Sequence, residues 1–381
     1  MAGAKGGEFK ELLSPFLKEK LERAKWDFGE DSKEVFAITH QYLRSPLENL
    51  IQSHERRRHY EAEMEIEFEG QSLIGVERLY RRTILIEPTT VCAAHCRWCL
   101  RGQYPVKTMT QDDIVHAARY IGSPQNKQDI DEVLITGGDP LMSQKLLSFT
   151  LQALTDHAPN VINVRIGSRV PFQDPKRIND GLIAIFKEFS QFNFEIGINV
   201  NHPIEFWPES VSAIKKLQSI GVTFYNQHPL LKGVNDDIET LIELYSLLRK
   251  HRIEAHYFFH AIPMRGMQHH RTSLRKGLAL ANQLSSCGQF SGRAKPRYAV
   301  LSDIGKIVIY QDTIVDEHTE DNKLLLRSGF KLEDRQRWNP SWQKPDSVVL
   351  ANDGTMMTWY QDGTDKTLTE LSIELAQNIN L

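Results

Sequence analysis

The chain lacks the features that define several large protein classes. Only four cysteines occur in 381 residues, which is too few for a disulfide scaffold. No run of about 18 to 20 apolar residues would cross a bilayer, and the first eight residues lack the apolar core of a signal peptide. Lysine and arginine (46) nearly balance aspartate and glutamate (49), so the net charge of −3 gives no electrostatic footprint for nucleic acid or an anionic membrane. We therefore expect a cytoplasmic protein with neither kind of partner.

Length and composition predict a folded chain in three parts. Hydrophobic residues make up 40% of the sequence, which is enough to bury a core. A length of 381 residues exceeds the ~250–300 residues of a single core. Leu12, Leu13, Phe16 and Leu17 share one face of a helix. We expect an N-terminal helical extension over residues 1–80, a core over 81–315 and a small C-terminal extension over 316–381.

From Thr83 onward, short apolar or β-branched runs alternate with amphipathic stretches, as in successive β-α units. The predicted strands are residues 84–86, 133–136, 163–166, 194–200, 223–226 and 256–260. The predicted helices are residues 111–121, 144–155, 180–189, 210–220, 236–250 and 273–286. The C-terminal part predicts a strand at 347–350 and a helix at 368–378. This order predicts an α/β fold with a partial, TIM-like (β/α)6 barrel, in which functional residues follow the C-terminal ends of the strands.

Three of the cysteines form a compact motif directly after the predicted strand at 84–86. Cys92, Cys96 and Cys99 have the spacing C-x3-C-x2-C. Three thiolates in one loop hold three irons of a [4Fe-4S] cluster and leave the fourth iron open to a small molecule. One alternative is a zinc site completed by His95 or Cys287. The other is three cysteines with no shared ligand.

The cysteine loop resembles that of the radical S-adenosylmethionine (SAM) superfamily, and the chain resembles its lysine 2,3-aminomutase family more closely. The resemblance extends over residues 75–310 and rests on these segments, in order: 92–101, 133–140, 165–171, 201–203, 226–227, 230–236 and 270–272. It implies a radical SAM barrel in which SAM binds the open iron of the cluster. It also implies a one-electron donor such as a flavodoxin or a ferredoxin.

The same resemblance assigns cofactor contacts to residues at strand ends. They are Gly137, Gly138, Asp139, Ser168, His202 and Gln227. The two glycines let backbone approach a ligand closely, and the Asp139 carboxylate suits the ammonium of the methionine part of SAM. His202 and Gln227 match residues that hold the ribose. Taken alone, a Gly-Gly-Asp-Pro sequence is a turn, and a single His or Gln is a structural hydrogen-bonding residue.

Arg101 and Lys306 are the residues that the resemblance places nearest the reaction. Arg101 matches an arginine that grips the substrate carboxylate, for which a planar guanidinium is suited. Its alternatives are a surface arginine or a partner of the cysteine loop. Lys306 matches the lysine that forms an aldimine with pyridoxal phosphate, although the family's longer glycine run is replaced here by residues 301–305. Its alternative is an exposed lysine after a turn. Arg81 and Arg82 are candidates for the phosphate.

Two departures from the family concern the substrate side chain. Lysine enzymes hold the distal ammonium with two acidic residues, and the matching positions here are Ile262 and Ala299. A buried ammonium without an anionic partner is costly, so we expect a substrate other than lysine unless Asp303 replaces those acids. Ile262 and Ala299 favour an uncharged side chain, whereas His260 and Arg265 leave an acidic one open.

The sequence as a whole predicts an amino acid 2,3-aminomutase that converts an α-amino acid to a β-amino acid. The resemblance implies a 5′-deoxyadenosyl radical and pyridoxal phosphate as the means. A pyridoxal-phosphate-independent radical SAM enzyme that abstracts hydrogen from an amino-acid-like substrate is the alternative. A non-enzymatic iron–sulfur electron carrier or structural metal protein explains the cysteines alone. A homo-oligomer is left open.

Overall fold

The computed structural model describes residues 9–50, 66–100, 108–340 and 342–379. The α-helices are α1 (Pro15–Phe28), α2 (Lys33–Tyr42), α3 (Gln111–Ile121), α4 (Gln144–His157), α5 (Val170–Gln173), α6 (Asp180–Glu188), α7 (Pro208–Gln218), α8 (Ile238–Lys250), α9 (Leu274–Ser286), α10 (Leu332–Trp338) and α11 (Leu368–Ile379). The strands are β1 (Glu67–Phe68), β2 (Gln71–Ser72), β3 (Val76–Glu77), β4 (Thr83–Thr89), β5 (Glu132–Gly137), β6 (Asn163–Gly167), β7 (Asn193–Ile198), β8 (Thr223–Leu230), β9 (Glu254–His260), β10 (Arg297–Ser302), β11 (Gly305–Val308), β12 (Ile314–His318), β13 (Lys323–Lys331), β14 (Val348–Leu350) and β15 (Thr355–Gln361).

The main sheet has nine strands in the order β11-β10-β9-β8-β7-β6-β5-β4-β3. Strands β4 to β10 are parallel, and β3 and β11 pair antiparallel at the two edges. Helices α3, α4, α6, α7, α8 and α9 lie in the six crossovers between the parallel strands. This curled sheet confirms the predicted partial (β/α)6 barrel. The cysteine loop follows β4, near one edge of the sheet, and Lys306 lies on β11, at the other edge.

The six predicted strands each overlap an observed strand, although 194–200 runs two residues past the end of β7, and the prediction for α3 matches at both ends. β10 was missed as a seventh parallel strand. The prediction of helix alone before residue 80 was incomplete, because β1, β2 and β3 lie in that stretch. Glu69 and Gly70 both have positive φ (53° and 77°), as in the tight turns that join antiparallel strands. The boundaries at residues 80 and 315 stay predictions.

Side chains of the parallel strands alternate between a buried face against the helices and a half-exposed inner face. The helix-facing members are fully buried and include Val133, Ile135, Val164, Ile166, Ile196 and Phe258. The inner members are partly exposed and include Leu134, Thr136, Arg165, Gly167, Glu195, Gln227 and Tyr257, and Lys306 on the antiparallel edge strand β11 is also partly exposed. The interior of this half-barrel is therefore open, unlike the filled interior of a complete eight-stranded barrel.

Two extensions flank the half-barrel. Helices α1 and α2 share a small core with Ala94 of the cysteine loop and, partly buried, Cys96. The C-terminal strands form a separate sheet in the order β12-β13-β15-β14. Buried Arg271 donates to the carbonyl oxygens of Gln361 (2.5 Å) and Asp362 (3.0 Å), which ties that sheet to the barrel rim. Among the described helices, none is long and apolar enough to span a membrane.

Candidate active site

The cysteine loop begins where β4 ends, at the C-terminal rim of the half-barrel. Cys92, Cys96 and Cys99 are partly buried, and the amide of Cys99 donates to the Cys96 carbonyl (3.0 Å). Burial raises the pKa of the Cys92 thiol, and the nearby Cys99 and Asp139 raise it further. The three sulfurs are thus close enough to interact, and a bound metal would displace the Cys92 proton.

The two side chains considered as a fourth zinc ligand are engaged elsewhere. The Nδ1 atom of His95 is 2.7 Å from the Lys10 carbonyl oxygen, and its ring stacks on Phe9 (5.0 Å between centroids). Cys287 caps the end of α9 and donates to the Leu284 carbonyl oxygen (3.2 Å). This geometry disfavours the closed zinc site.

Residues of the N-terminal segment 9–50 hold the cysteine loop through hydrogen bonds. The amide of His95 donates to the Leu12 carbonyl (2.9 Å), and that of Arg97 donates to the Gln41 carbonyl (2.8 Å). The Arg97 guanidinium also pairs with Glu48, with Nε 2.8 Å from Oε1. The predicted N-terminal helical extension therefore helps to hold the cysteine loop in place.

Gly137 and Gly138 pack against the chain that leads into the cysteine loop. A Cβ on Gly137, whose φ is 103°, would lie 2.6 Å from the Thr89 carbonyl oxygen. A Cβ on Gly138 would lie 2.5 Å from both the Thr90 carbonyl carbon and the Val91 carbonyl oxygen. The close approach expected of these glycines is thus made to the protein's own backbone. They set the position of the cysteine loop against β5.

Replacing Gly138 with alanine is expected to lower the free energy of unfolding by about 1–3 kcal/mol or more, because the new methyl overlaps backbone that cannot rotate away. Thermal unfolding and iron content after cluster reconstitution measure this, and both should fall. In the matched variant Gly292→Ala the added Cβ meets nothing within 4 Å, so both should stay at wild-type values. Equal behaviour of the two variants would contradict the packing role.

Asp139 joins the ends of β5 and β6. Its carboxylate accepts from the Ser168 hydroxyl (2.8 Å), and from the amides of Arg169 (2.7 Å), Val170 (3.0 Å) and Leu141 (3.1 Å). Burial raises its pKa, and these donors oppose that rise. Asp139 and Ser168 therefore hold the loops beside the cysteines, and their contact with SAM stays a prediction.

Arg169 connects the cysteine loop to a buried polar network. Its guanidinium donates to the Cys96 sulfur (2.8 Å) and to Glu205 (2.7 Å). Burial opposes its charge, but Cys96 and other neighbours outweigh burial and raise the pKa. Gln173 also donates to the Cys96 sulfur (3.4 Å). The cation favours the thiolate form of the cysteine, which is the metal-binding form.

His202 lies next to this network, at the rim after β7. Its amide donates to Glu205 (3.0 Å), and its Nδ1 accepts from the Ile204 amide (3.2 Å). Burial lowers its pKa to about 4, so the ring is neutral at pH 7. Gln227 lies on the inner face of β8 opposite Tyr257. Arg101 lies outside the described residues, so its predicted role stays a prediction.

Lys306 lies on the inner face of β11, paired with Leu301 of β10. Its Nζ is 5.5 Å from the centroid of the Tyr257 ring and 5.8 Å from that of Phe259. Burial lowers the pKa of the inner-face His256 to about 4, and the charges of Arg165 and Lys306 lower it further. These contacts place the ammonium inside the half-barrel, in disagreement with an exposed lysine.

Arg81 and Arg82 do not reach this interior. They precede β4, at the strand end opposite the cysteine loop, and pair with Asp129 and Asp131 at the surface. The phosphate role considered for them does not fit, because a surface pair at the N-terminal end of a strand is remote from the functional rim. Arg165 is instead the arginine that points inward, where it pairs with Glu132 (2.9 Å).

Comparisons with known proteins agree with this geometry. Residues 86–245 match the Radical SAM superfamily. L-lysine 2,3-aminomutase of Methanococcus maripaludis is 34% identical over 268 residues, which cover 69% of this chain and 60% of the relative. Glutamate 2,3-aminomutase of Clostridioides difficile is 32% identical over 271 residues, which cover 68% and 61%. The chain belongs to the lysine 2,3-aminomutase-like family of the radical SAM superfamily.

The matches cover only part of the length of the related aminomutases. The chain spans about 60% of the length of these aminomutases. A solved radical SAM methyltransferase from Sphaerobacter thermophilus is 15% identical, with a TM-score of 0.45, and the match covers 75% of this chain and 95% of that one.

Radical SAM family membership implies a [4Fe-4S] cluster and SAM, and the cysteine loop fits the cluster. The three cysteines of the loop supply thiolates for three irons. The network of Arg169, Glu205 and Gln41 supports them, and sequence analysis assigned no role to it. Arg169 lies within the matched segment 165–171, and Glu205 follows the matched segment 201–203 by two residues, so position in or beside these segments was the available signal.

Replacing Arg169 with glutamine is expected to make the cluster's midpoint potential more negative, because a cation and a donor to a cluster sulfur are lost. A charge-assisted hydrogen bond is worth about 1.5–3 kcal/mol, which corresponds to roughly 65–130 mV for one electron. Redox titration followed by electron paramagnetic resonance measures it. Gln173→Leu, which removes a longer contact, should shift the potential less. An unchanged or more positive potential would show that Arg169 does not tune the cluster.

Proposed function

We propose that this protein is a radical SAM amino acid 2,3-aminomutase whose substrate is an α-amino acid with an uncharged side chain. The observation that carries the proposal is the inward position of Lys306 on β11, in a half-barrel whose β4 edge carries the cysteine loop. The relatives named above, which act on lysine and glutamate, support an amino acid as the substrate class.

Lys306 supports the use of pyridoxal phosphate. Its amine is half-buried, lies near two aromatic rings and faces an open interior, where a planar ring has room. Gly197 on β7 makes room for the Tyr225 ring, since a Cβ there would lie 2.5 Å from the Tyr225 hydroxyl. Arg165 donates to the same hydroxyl (2.8 Å) and keeps a cation inside the barrel. The lysine and the space around it therefore fit the cofactor.

The wall beside Lys306 supports an uncharged side chain in the substrate. It is built from Tyr257, Phe259, Ala299 and Leu301, which are aromatic or aliphatic. A lysine ammonium against such a wall would lose hydration without gaining an anionic partner. The inner face of the strands next to Lys306 thus offers an apolar surface against which an uncharged substrate side chain packs.

Two polar residues that sequence analysis kept open, Asp303 and His260, are engaged with partners in the protein. Asp303 is in the turn between β10 and β11 and accepts from the Ser347 hydroxyl in the C-terminal extension. His260 is buried, with Nδ1 2.8 Å from the Tyr360 hydroxyl and Nε2 2.8 Å from the Thr272 carbonyl oxygen. Ile262 lines a cavity of about 530 Å³ between the barrel edge and the C-terminal sheet. Both His260 nitrogens are thus engaged and do not support an acidic substrate.

The protein's own groups position the reactants and exclude water. The cysteine loop, held by Gly138 and the N-terminal segment, fixes the metal end of the site. Tyr257 and Phe259 surround the Lys306 amine and limit its hydration. When bound, the cluster and SAM supply a 5′-deoxyadenosyl radical, and pyridoxal phosphate supplies a carrier for the migrating amino group. A flavodoxin or ferredoxin would deliver the electron.

A substrate panel tests this function. Anaerobically reconstituted protein is incubated with SAM, pyridoxal phosphate, a reductant and each common amino acid, and β-amino acid products are identified by mass spectrometry. We expect one uncharged amino acid to be isomerised at least about tenfold faster than lysine or glutamate, because desolvating an unpaired charge is costly. β-Lysine as the main product would contradict the proposed specificity. Deoxyadenosine without any β-isomer would instead favour hydrogen abstraction without amino migration.

A further inference from the structure

Three buried histidines meet behind the cysteine loop, outside the site described above. His40 lies near the end of α2, and His269 and His270 form the 3-10 turn Gln268–His270 after β9. One ring nitrogen from each lies within 4.8 Å of the other two. The His40 and His270 ring centroids are 4.4 Å apart, and those of His269 and His270 are 4.0 Å apart. The chain thus brings three imidazoles together from sequence positions about 230 residues apart.

Packing alone does not account for this cluster. Four of its six ring nitrogens are buried without a hydrogen-bond partner: Nε2 of His40, Nδ1 of His269, and both nitrogens of His270. Buried polar atoms are nearly always paired, because an unpaired one loses its hydration with no return. His228 shows the usual solution in this protein, since its Nε2 lies 2.8 Å from the Tyr245 hydroxyl. The trio therefore has buried nitrogen atoms with no hydrogen-bond partner, as expected of a metal site without its ion.

We propose that His40, His269 and His270 bind one divalent transition-metal ion of the zinc class. Three neutral imidazoles suit zinc, and zinc binds such nitrogens at about 2.0–2.1 Å. Nitrogens around one tetrahedral zinc lie about 3.3 Å apart, so the three rings, whose nitrogens lie within 4.8 Å of one another, would turn toward the ion on binding. Among the described residues no cysteine or carboxylate joins the group, so a water molecule completes the tetrahedron.

The charges around the trio are compatible with a cation. Lys232 and Arg97 lie near enough to lower the pKa of His269, after the larger effects of burial and of His40. The Arg97 charge is offset by its pair with Glu48, and Lys232 donates to the Thr364 carbonyl (2.7 Å). Asp236 contributes negative charge at His40, whose pKa burial nevertheless lowers to about 4. The imidazoles are therefore unprotonated at neutral pH.

The position of the ion defines its role. His40 precedes Gln41, whose carbonyl accepts from the amide of Arg97 in the cysteine loop (2.8 Å). The 3-10 turn Gln268–His270 belongs to the rim after β9, and the His270 carbonyl accepts from the Lys232 amide (3.0 Å). A metal ion bound by His40 and by this turn would link α2 to the barrel rim and stabilise the cysteine loop. The site is a structural brace, separate from the [4Fe-4S] position.

Zinc binding to the full-length protein without a polyhistidine tag tests the proposal. The cluster is assembled first, so that Cys92, Cys96 and Cys99 are occupied; the protein is then equilibrated with Zn²⁺, desalted and analysed for metal. X-ray absorption at the zinc edge identifies the ligands. We expect about one zinc per chain with a first shell of nitrogen and oxygen near 2.0–2.1 Å, in contrast to the roughly 2.3 Å of zinc–sulfur bonds.

Histidine variants decide whether the trio is the site. His269→Asn and His40→Asn should each lose at least about fivefold in bound zinc, whereas the exposed His318→Asn should bind as wild type. Circular dichroism checks that each variant is folded; if His40→Asn is not, His269→Asn alone decides. Zinc should raise the wild-type unfolding temperature and leave that of His269→Asn unchanged. Absence of zinc, sulfur in the first shell, or full zinc retention in His269→Asn would each overturn the proposal.

Discussion

Replacing Cys92 with alanine is expected to reduce bound iron from ~4 per chain to near zero after reconstitution, because two thiolates do not hold a four-iron cluster that needs three. Reductive cleavage of SAM should fall by at least about a thousandfold, since the electron has no route to the sulfonium. Iron analysis, visible absorbance and chromatography of 5′-deoxyadenosine measure these effects. Cys96→Ala and Cys99→Ala should behave in the same way.

Cys287 is the matched control. Its thiol is partly buried like the others, but it caps α9 and donates to a helix carbonyl. Cys287→Ala should keep iron content and SAM cleavage within about twofold of wild type, as a substitution away from the reacting groups normally does. Loss of the cluster in Cys287→Ala, or its retention in Cys92→Ala, would contradict the assignment of the cluster ligands.

Replacing Lys306 with alanine is expected to abolish the visible absorbance of protein-bound pyridoxal phosphate and to lower aminomutase turnover by at least about a thousandfold. The reason is that the inward amine is the nucleophile that would hold the cofactor covalently. Absorbance after desalting and borohydride trapping followed by peptide mass spectrometry provide the readouts. SAM cleavage without substrate should persist, because the cysteine loop is unchanged.

Two further lysine variants separate the loss of the primary amine from the loss of the positive charge. Lys306→Arg keeps the cation near Tyr257 and Phe259 but lacks a primary amine, so it should fail like the alanine variant. Lys331→Ala, at an exposed position of β13, should bind the cofactor normally. A labelled peptide that lacks Lys306, or full turnover by Lys306→Ala, would favour the radical enzyme that works without pyridoxal phosphate.

The barrel was predictable because its signals are local. Most helix-facing positions on the strands are apolar, and most of the crossover helices have a side-chain cap, such as Thr110 for α3 or Ser273 for α9. The cysteine loop was predictable for the same reason, since its three thiols fall within eight residues of sequence. β10 was missed because its residues had been assigned to the segment around Lys306 and not to a strand.

The support of the site was not predictable, because its contacts join distant parts of the chain. Arg169 reaches the Cys96 sulfur across 73 residues of sequence, and Gln41 meets Asn201 across 160. Asp139 illustrates the same limit. Its residue type fits an ammonium ligand, yet only the structure shows how many protein amides its carboxylate accepts. The histidine trio likewise arises from tertiary packing, which sequence spacing does not encode.

The most direct test of the central claim is a crystal structure of the anaerobically reconstituted protein with SAM. The account predicts a [4Fe-4S] cluster bound by Cys92, Cys96 and Cys99, with SAM at the fourth iron. A fourth iron bound by a protein side chain, or a zinc ion among the three cysteines, would contradict it.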